Sequence, residues 1–142
     1  MTNSSTFQAE KINQHIVKWL LDYANNAKVK GFVVGISGGI DSALTSTLCA
    51  QTGLPTLCVE MPIHQAESHV NRAYEHIDQL KKRFSNVFNE RADLTPVFET
   101  FKNQVPASEN EAVLNLSLAN TRARLRMTTL YYFAGLHGFL VA

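Results

Sequence analysis

Short apolar runs alternate along the chain with longer segments whose apolar residues recur every three or four positions. Ile12, Ile16, Trp19, Leu20, Tyr23 and Ala27 form one such stripe, with Lys11, Gln14, Lys18, Asp22 and Asn25 off it. That pattern predicts an amphipathic helix over about 8–27, packed on the main body. Gly31-Phe32-Val33-Val34-Gly35-Ile36 is a continuous apolar run between turn residues, as in a strand covered on both faces. A helical stretch over about 43–51 follows and is closed by Gly53 and Pro55. Thr56-Leu57-Cys58-Val59-Glu60 reads as a second strand, with Pro62 just behind it. Val70, Ala73, Ile77, Leu80 and Phe84 line one face of a helix over about 67–84, and Asn86-Val87-Phe88 opens a third strand. Leu94-Thr95-Pro96 has the form of a helix start with proline at the first helical position, and Phe98 and Phe101 are expected to point inward from it. The polar residues of about 104–111, with Pro106 among them, read as a mobile loop. A last helix over about 112–136 carries the stripe Leu116, Ala119, Ala123, Met127, Leu130 and Ala134, and Gly138-Phe139-Leu140-Val141-Ala142 is a final buried-type strand.

Strand and helix thus alternate, which implies right-handed crossovers and an α/β fold: a doubly wound parallel sheet with flanking helices. No repeat, low-complexity tract or linker divides the 142 residues, so a single domain is expected. The chain stops at the end of a buried-type strand. Ligand-binding loops of such sheets begin just beyond strand ends. It therefore reads as the amino-terminal part of a longer protein, with a sheet incomplete at its carboxyl end.

Composition narrows the function classes. Apolar residues make up 45% and charged residues 18%, which fits a globular chain and excludes a disordered one. Thirteen Lys and Arg against 12 Asp and Glu give a formal charge of +1, so no bulk basic field is available for nucleic acid. The first residues are polar and lack a signal pattern, and no apolar run approaches the ~20 residues of a membrane span. No membrane contact and a cytoplasmic address are expected. Cys49 and Cys58 sit in apolar company and read as reduced core thiols.

The densest chemical signal is Ser37-Gly38-Gly39-Ile40-Asp41-Ser42, between a buried-type strand and a helix. Gly38 and Gly39 lack Cβ and let a ligand approach the backbone. Successive amides can form a concave anion site, and the helix N-terminus behind adds unpaired donors and about half a positive charge. Ser37 and Ser42 add hydroxyls. Asp41 would repel phosphates unless Mg²⁺ bridges them, so metal and phosphate together point to a nucleotide. Neither G-x-x-x-x-G-K-[ST] nor G-x-G-x-x-G occurs. A plain strand-to-helix turn would need the two glycines but neither the flanking serines nor the aspartate.

This hexapeptide resembles the S-G-G-x-D-S motif of the PP-loop ATP pyrophosphatases. The resemblance implies an adenine nucleotide alpha hydrolase-like fold in which Gly35, Ile36, Ser37, Gly38, Gly39, Ile40, Asp41 and Ser42 hold ATP and Asp41 binds Mg²⁺. Members adenylate an oxygen, release pyrophosphate and let a nucleophile displace AMP.

A second stretch, Leu118 to Met127, carries Asn120, Arg122, Arg124 and Arg126. At 100° per residue Asn120 and Arg124 flank one side of the apolar stripe, and Arg122 and Arg126 flank the other. Guanidinium groups there suit oxyanions, and equally suit a solvated basic face or ion pairs; spacing leaves these open. Asn120-Thr121-Arg122-Ala123-Arg124-Leu125-Arg126-Met127 is similar to the N-x-[KR]-A-R-x-R-M segment of NAD synthetases, and Leu130-Tyr131-Tyr132-Phe133-Ala134-Gly135 resembles its continuation. The likeness runs from about residue 33 to the last, weakest between 67 and 111.

It implies that Arg124 contacts deamido-NAD and that the helix contributes to a homodimer interface, with Asn120, Arg122 and Arg126 as further candidates. It also implies ATP-dependent amidation of deamido-NAD to NAD, with AMP and pyrophosphate released. About 30 residues precede the first strand, too few for an amidohydrolase domain, so ammonia is the expected nitrogen donor. The Gly-Thr loop, metal-sharing Glu and lysines of the family's second half are absent from this sequence, so the chain alone is not expected to be complete for catalysis. Another PP-loop adenylating enzyme, of the tRNA-thiolating or GMP synthetase type, and an inactive nucleotide-binding fragment are the alternatives. His64 and Gln65, just after the second strand, are candidate nucleotide contacts or plain loop residues. His15, His69 and His76 read as surface or partly buried residues, and His137 as a helix C-terminal residue on the dipole.

Overall fold

The apolar runs Phe32–Gly35 (β1), Thr56–Glu60 (β2), Val87–Arg91 (β3) and Leu140–Val141 (β4) form strands of one sheet in a computed structural model that describes residues 4–142. Residues 1–3, part of the stretch read for a signal sequence, lie outside it. The helices are α1 (Ser4–Asn26), α2 (Ile40–Gln51), α3 (Glu67–Arg83), α4 (Thr95–Gln104) and α5 (Glu111–His137). The sheet is parallel throughout, in the order β3-β2-β1-β4, with Phe32 opposite both Thr56 and Leu140.

That order dictates where the helices go. The chain steps from β1 to β2 to β3 in one direction, then returns to the far side of β1. Right-handed crossovers put helices on one face for the outward steps and on the other for the return. Residues along each strand point alternately to the two faces. Phe32, Val34 and Cys58 accordingly pack with Ala24 of α1, Cys49 of α2 and Ala73, Ile77 and Leu80 of α3. Val33, Leu57 and Val59 pack with Phe98 of α4 and Leu125, Leu130 and Ala134 of α5. Phe32, Val33 and Leu57 are fully buried, each worth about 1.5–3 kcal/mol in apolar surface removed from water. Cys49 and Cys58 lie inside the first layer, and burial pushes both thiols up to about 12, so they stay protonated. None of the described helices is long and apolar enough to cross a membrane.

Three inward-facing expectations are corrected. In α1, Ile12, Trp19 and Tyr23 are exposed, and Leu20 and Ala24 face the core. In α5, Leu116 and Met127 are exposed, and Leu118, Leu125, Leu130 and Phe133 form the row on the sheet. Both rows of α5 are apolar at helical spacing, so periodicity does not say which one meets the sheet. Phe101 of α4 is also exposed, because Leu94 and Phe98 already fill the contact with the sheet.

The ends of α5 follow local rules. The Val113 amide donates to Asn110 Oδ1 at 3.2 Å, and Gly138 closes the helix in the left-handed conformation at φ +68°.

Candidate functional site

β1 leads into Ser37 at the carboxyl edge of the sheet, where the chain goes to β2 on one side and β4 lies on the other. Parallel sheets open a crevice at such a reversal of strand order. Gly38 turns there with φ +84°, and a Cβ at this position would stand 2.6 Å from the His69 carbonyl oxygen, so only glycine fits. The serine hydroxyls hold the loop's shape. The Ser37 amide donates to Ser42 Oγ, Ser42 Oγ donates to the Gly39 carbonyl, and the Gly39 amide donates to Ser37 Oγ, each at 3.2 Å. Gly39 caps α2 without a side-chain bond. The amides of Gly38, Ile40, Asp41 and Ser42 have no acceptor among the described residues. Four unengaged donors at the start of a helix make a cradle for an anion. The exposed Asp41 carboxylate stands in the first turn of that helix. Among the described residues no group of three or more His, Cys, Asp or Glu could hold a metal by itself.

A cavity of about 210 Å³ adjoins the cradle, lined by Gly35, Ile36, Ser37, Met61, Gln65, Arg126 and Leu130. Arg126 is anchored by its Nε–H, which donates to the Met61 carbonyl at 3.1 Å. Burial, and then the neighbouring charge of Arg122, lowers its pKa from the usual arginine value. Arg122 turns away from this cavity, its guanidinium lying 5.3 Å over the Phe98 ring. Asn120 and Arg124 open onto a separate groove of about 320 Å³ between α4 and α5, walled by Phe101 and Leu125. The structure thus gathers residues 35–42, Gln65 and Arg126 at one place, and sets Arg124 with Asn120 at another.

His64 braces the turn that presents Gln65. It holds a positive φ of +47°, rare for a residue with a side chain. Its amide donates to Thr95 Oγ1 at 3.1 Å, its Nε2 lies 2.6 Å from Glu99 Oε1, and its ring meets the Phe98 edge. All three contacts are to α4. The bond with His64 holds the Glu99 carboxyl below the usual carboxylate range. His76 is bonded to the buried Ser46 at 2.8 Å, and His137 stacks on Phe139.

Glu60, Met61, His69 and Leu130 also line these cavities, and sequence reasoning did not single them out for a site. The available signal was Glu60, an acid closing an otherwise uncharged strand.

A family model described as NAD synthase matches residues 12–142. Among curated relatives, an NH3-dependent NAD(+) synthetase of Mesoplasma florum is 36% identical over 129 residues, covering 89% of this chain and 50% of the relative. Another from Finegoldia magna is 36% identical over 134 residues, covering 92% of this chain and 51% of the relative. The solved NMN synthetase of Francisella tularensis is 32% identical with a TM-score of 0.81, covering 93% of this chain and 52% of that one. The chain spans about half the length of the curated relatives it matches.

Proposed function

The chain belongs to the NAD synthase family, and from that membership we propose that it serves the ATP-dependent amidation of deamido-NAD to NAD, with ammonia as the nitrogen donor. The observation that carries this reading is the cradle of four unengaged amides beside Asp41, opening onto a cavity at the end of β1. The cradle suits the pyrophosphate end of ATP, and the cavity of about 210 Å³ leaves room beyond it for the rest of the nucleotide. The family membership sets the tRNA-thiolating and GMP synthetase-like alternatives aside.

One exposed carboxylate next to a phosphate cradle fits Mg²⁺, which takes one or two carboxylates plus phosphate oxygens. Asp41 would hold the ion, and when bound it offsets charge on the triphosphate and on the leaving pyrophosphate. The nicotinate carboxylate oxygen attacks the α-phosphorus of ATP, and the bond from that phosphorus to the bridging oxygen breaks, releasing pyrophosphate. Ammonia then adds its lone pair to the acyl carbon of the mixed anhydride. The carbon–oxygen bond to AMP breaks, a proton is lost to solvent, and the amide remains. No side-chain nucleophile is required, since positioning and charge stabilisation carry the reaction. The loop amides hold the phosphates, Arg126 places positive charge at the cavity, and Arg124 and Asn120 offer deamido-NAD an oxyanion-binding groove. The exposed apolar row of α5 suits a second copy of the chain, giving a homodimer that buries Leu116 and Met127. A cytoplasmic setting agrees with two unpaired thiols.

The test is turnover with ATP, Mg²⁺, ammonium and either deamido-NAD or nicotinate mononucleotide. NAD and AMP in equal amounts from deamido-NAD are expected of a protein that joins this chain to the second half its relatives carry, and not of this chain alone. Release of ADP would contradict the adenylation chemistry. A preference for the mononucleotide, as the name of the Francisella tularensis relative suggests for that protein, would change the substrate and keep the chemistry.

A further inference from the structure

The turn between β2 and α3 carries the chain from one face of the sheet to the other. Met61 and Ile63 are buried in the layer that holds α4, and the Pro62 carbonyl accepts the Leu94 amide at 3.0 Å, so the chain is fixed up to residue 63. α3 begins at Glu67, with Ala66 as its extended cap at φ −60° and ψ 142°. The reversal falls to residues 64–66, and His64 makes it with φ +47°.

Glycine enters the left-handed region freely, whereas a residue with a side chain holds it only where its surroundings impose it. For His64 the surroundings are one helix. Its amide donates to Thr95 Oγ1 at 3.1 Å, its Nε2 lies 2.6 Å from Glu99 Oε1, and its ring stands edge-on to Phe98 with centroids 6.2 Å apart. Thr95 and Glu99 are one helical turn apart, so a single face of α4 grips both the backbone and the ring. The fold gains little from that grip, because the His64 and Glu99 side chains are 56% and 37% exposed, and exposed pairs add little stability. Stability alone therefore does not account for a histidine where glycine would turn without strain. The next residue is Gln65, which borders the 210 Å³ cavity beside the phosphate cradle; His64 does not. No protein group among the described residues bonds the Gln65 side-chain amide. The backbone angles of His64 set the direction in which Gln65 leaves the turn.

We propose that His64 is a positioning residue for the nucleotide site: gripped by α4, it sets the turn that holds Gln65 at the cavity wall, ready for the nucleotide. This rests on the nucleotide reading of the cradle and cavity. His64 acts through Gln65, and the benefit is preorganisation, since a residue already in place loses less freedom when the ligand arrives.

The experiment titrates the chain and its His64→Gly, Glu99→Ala, Glu99→Gln, Gln65→Ala and His64→Gly/Gln65→Ala variants with Mg²⁺-pyrophosphate and with Mg²⁺-ATP. Thermal unfolding is followed on each. His64→Gly removes the ring contacts and keeps the left-handed turn accessible, so the variant should fold. Gln65→Ala should weaken ATP about threefold to tenfold, the worth of one hydrogen bond, and His64→Gly and Glu99→Ala about threefold each. Glu99→Gln still offers His64 an acceptor oxygen and should stay within about twofold of the unaltered chain. The double variant should bind ATP no worse than Gln65→Ala alone, because both changes remove the same contact. Pyrophosphate, held by the cradle, should bind every variant equally, and the unfolding midpoint should move little. The proposal is overturned if His64→Gly leaves ATP affinity unchanged, if the two single losses add in the double variant, or if pyrophosphate affinity and the unfolding midpoint fall together with ATP affinity. Unchanged ATP affinity in Gln65→Ala overturns it as well, and leaves the nucleotide reading standing. A chain that binds neither pyrophosphate nor ATP overturns the nucleotide reading, and this proposal with it.

Discussion

Asp41 and His76 sit at two depths around the same helix start, and their chemistry separates binding from stability. Asp41 is exposed, so Asp41→Asn should change the unfolding free energy by no more than about 0.5 kcal/mol. Calorimetry with and without Mg²⁺ should show that the variant loses the metal dependence of ATP binding; a variant that keeps it would remove Asp41 as the ligand. Behind the loop, Ser46 Oγ donates to the Ser42 carbonyl at 2.8 Å and lies 2.8 Å from His76 Nε2, within hydrogen-bond distance. Burial lowers the His76 pKa from its ordinary value, with Arg83 adding to the effect. The folded state therefore takes up this proton less readily than the unfolded chain. Stability is present above the ordinary histidine range and is lost as pH falls into and below it. Denaturant unfolding across that range should show an acid-side loss that shrinks in His76→Gln. An identical pH profile in the variant would exclude His76 as its source.

The elements were legible where one local signal decided them. The short apolar runs around Phe32–Gly35 and Thr56–Glu60 read as covered strands and are strands, and Gly38 with Gly39 read as a turn, which Gly38 makes at positive φ. Orientation was less legible. In α5 the rows of Leu118-Leu125 and Leu116-Met127 are both apolar, and the sheet, not the period, selects between them. Phe101 looked buried because its partner Phe98 is, yet one aromatic ring saturates that contact. Glu60 was passed over as a strand end, because its burial arises only when β2 meets α3. The faces of α5 now predict separate functions. Arg126 opens on the loop cavity and Arg124 on the groove with Asn120. Arg124→Ala should weaken deamido-NAD binding by about tenfold to a hundredfold, the worth of a charged hydrogen bond, and leave ATP binding nearly unchanged. Equal losses for both ligands, measured by equilibrium titration, would refute that division.

As a whole the molecule is a parallel sheet with one open edge of chemistry and one unpartnered helix face. Leu116, Met127 and Tyr131 are 66%, 46% and 63% exposed on the outward side of α5. These exposed apolar side chains on one helix face are what the proposed homodimer would bury. Met127→Glu should convert a dimer to a monomer in sedimentation equilibrium while circular dichroism stays the same; an unaltered chain that is already monomeric would contradict the dimer. The central claim concerns the cradle, and it is tested most directly by the backbone amide resonances of the labelled chain as Mg²⁺-ATP is added. We expect the largest shifts at Gly38, Ile40, Asp41 and Ser42, with small ones at Ser37 and Gly39, whose amides are already bonded within the loop. Shifts centred elsewhere, or none at saturating nucleotide, would contradict it.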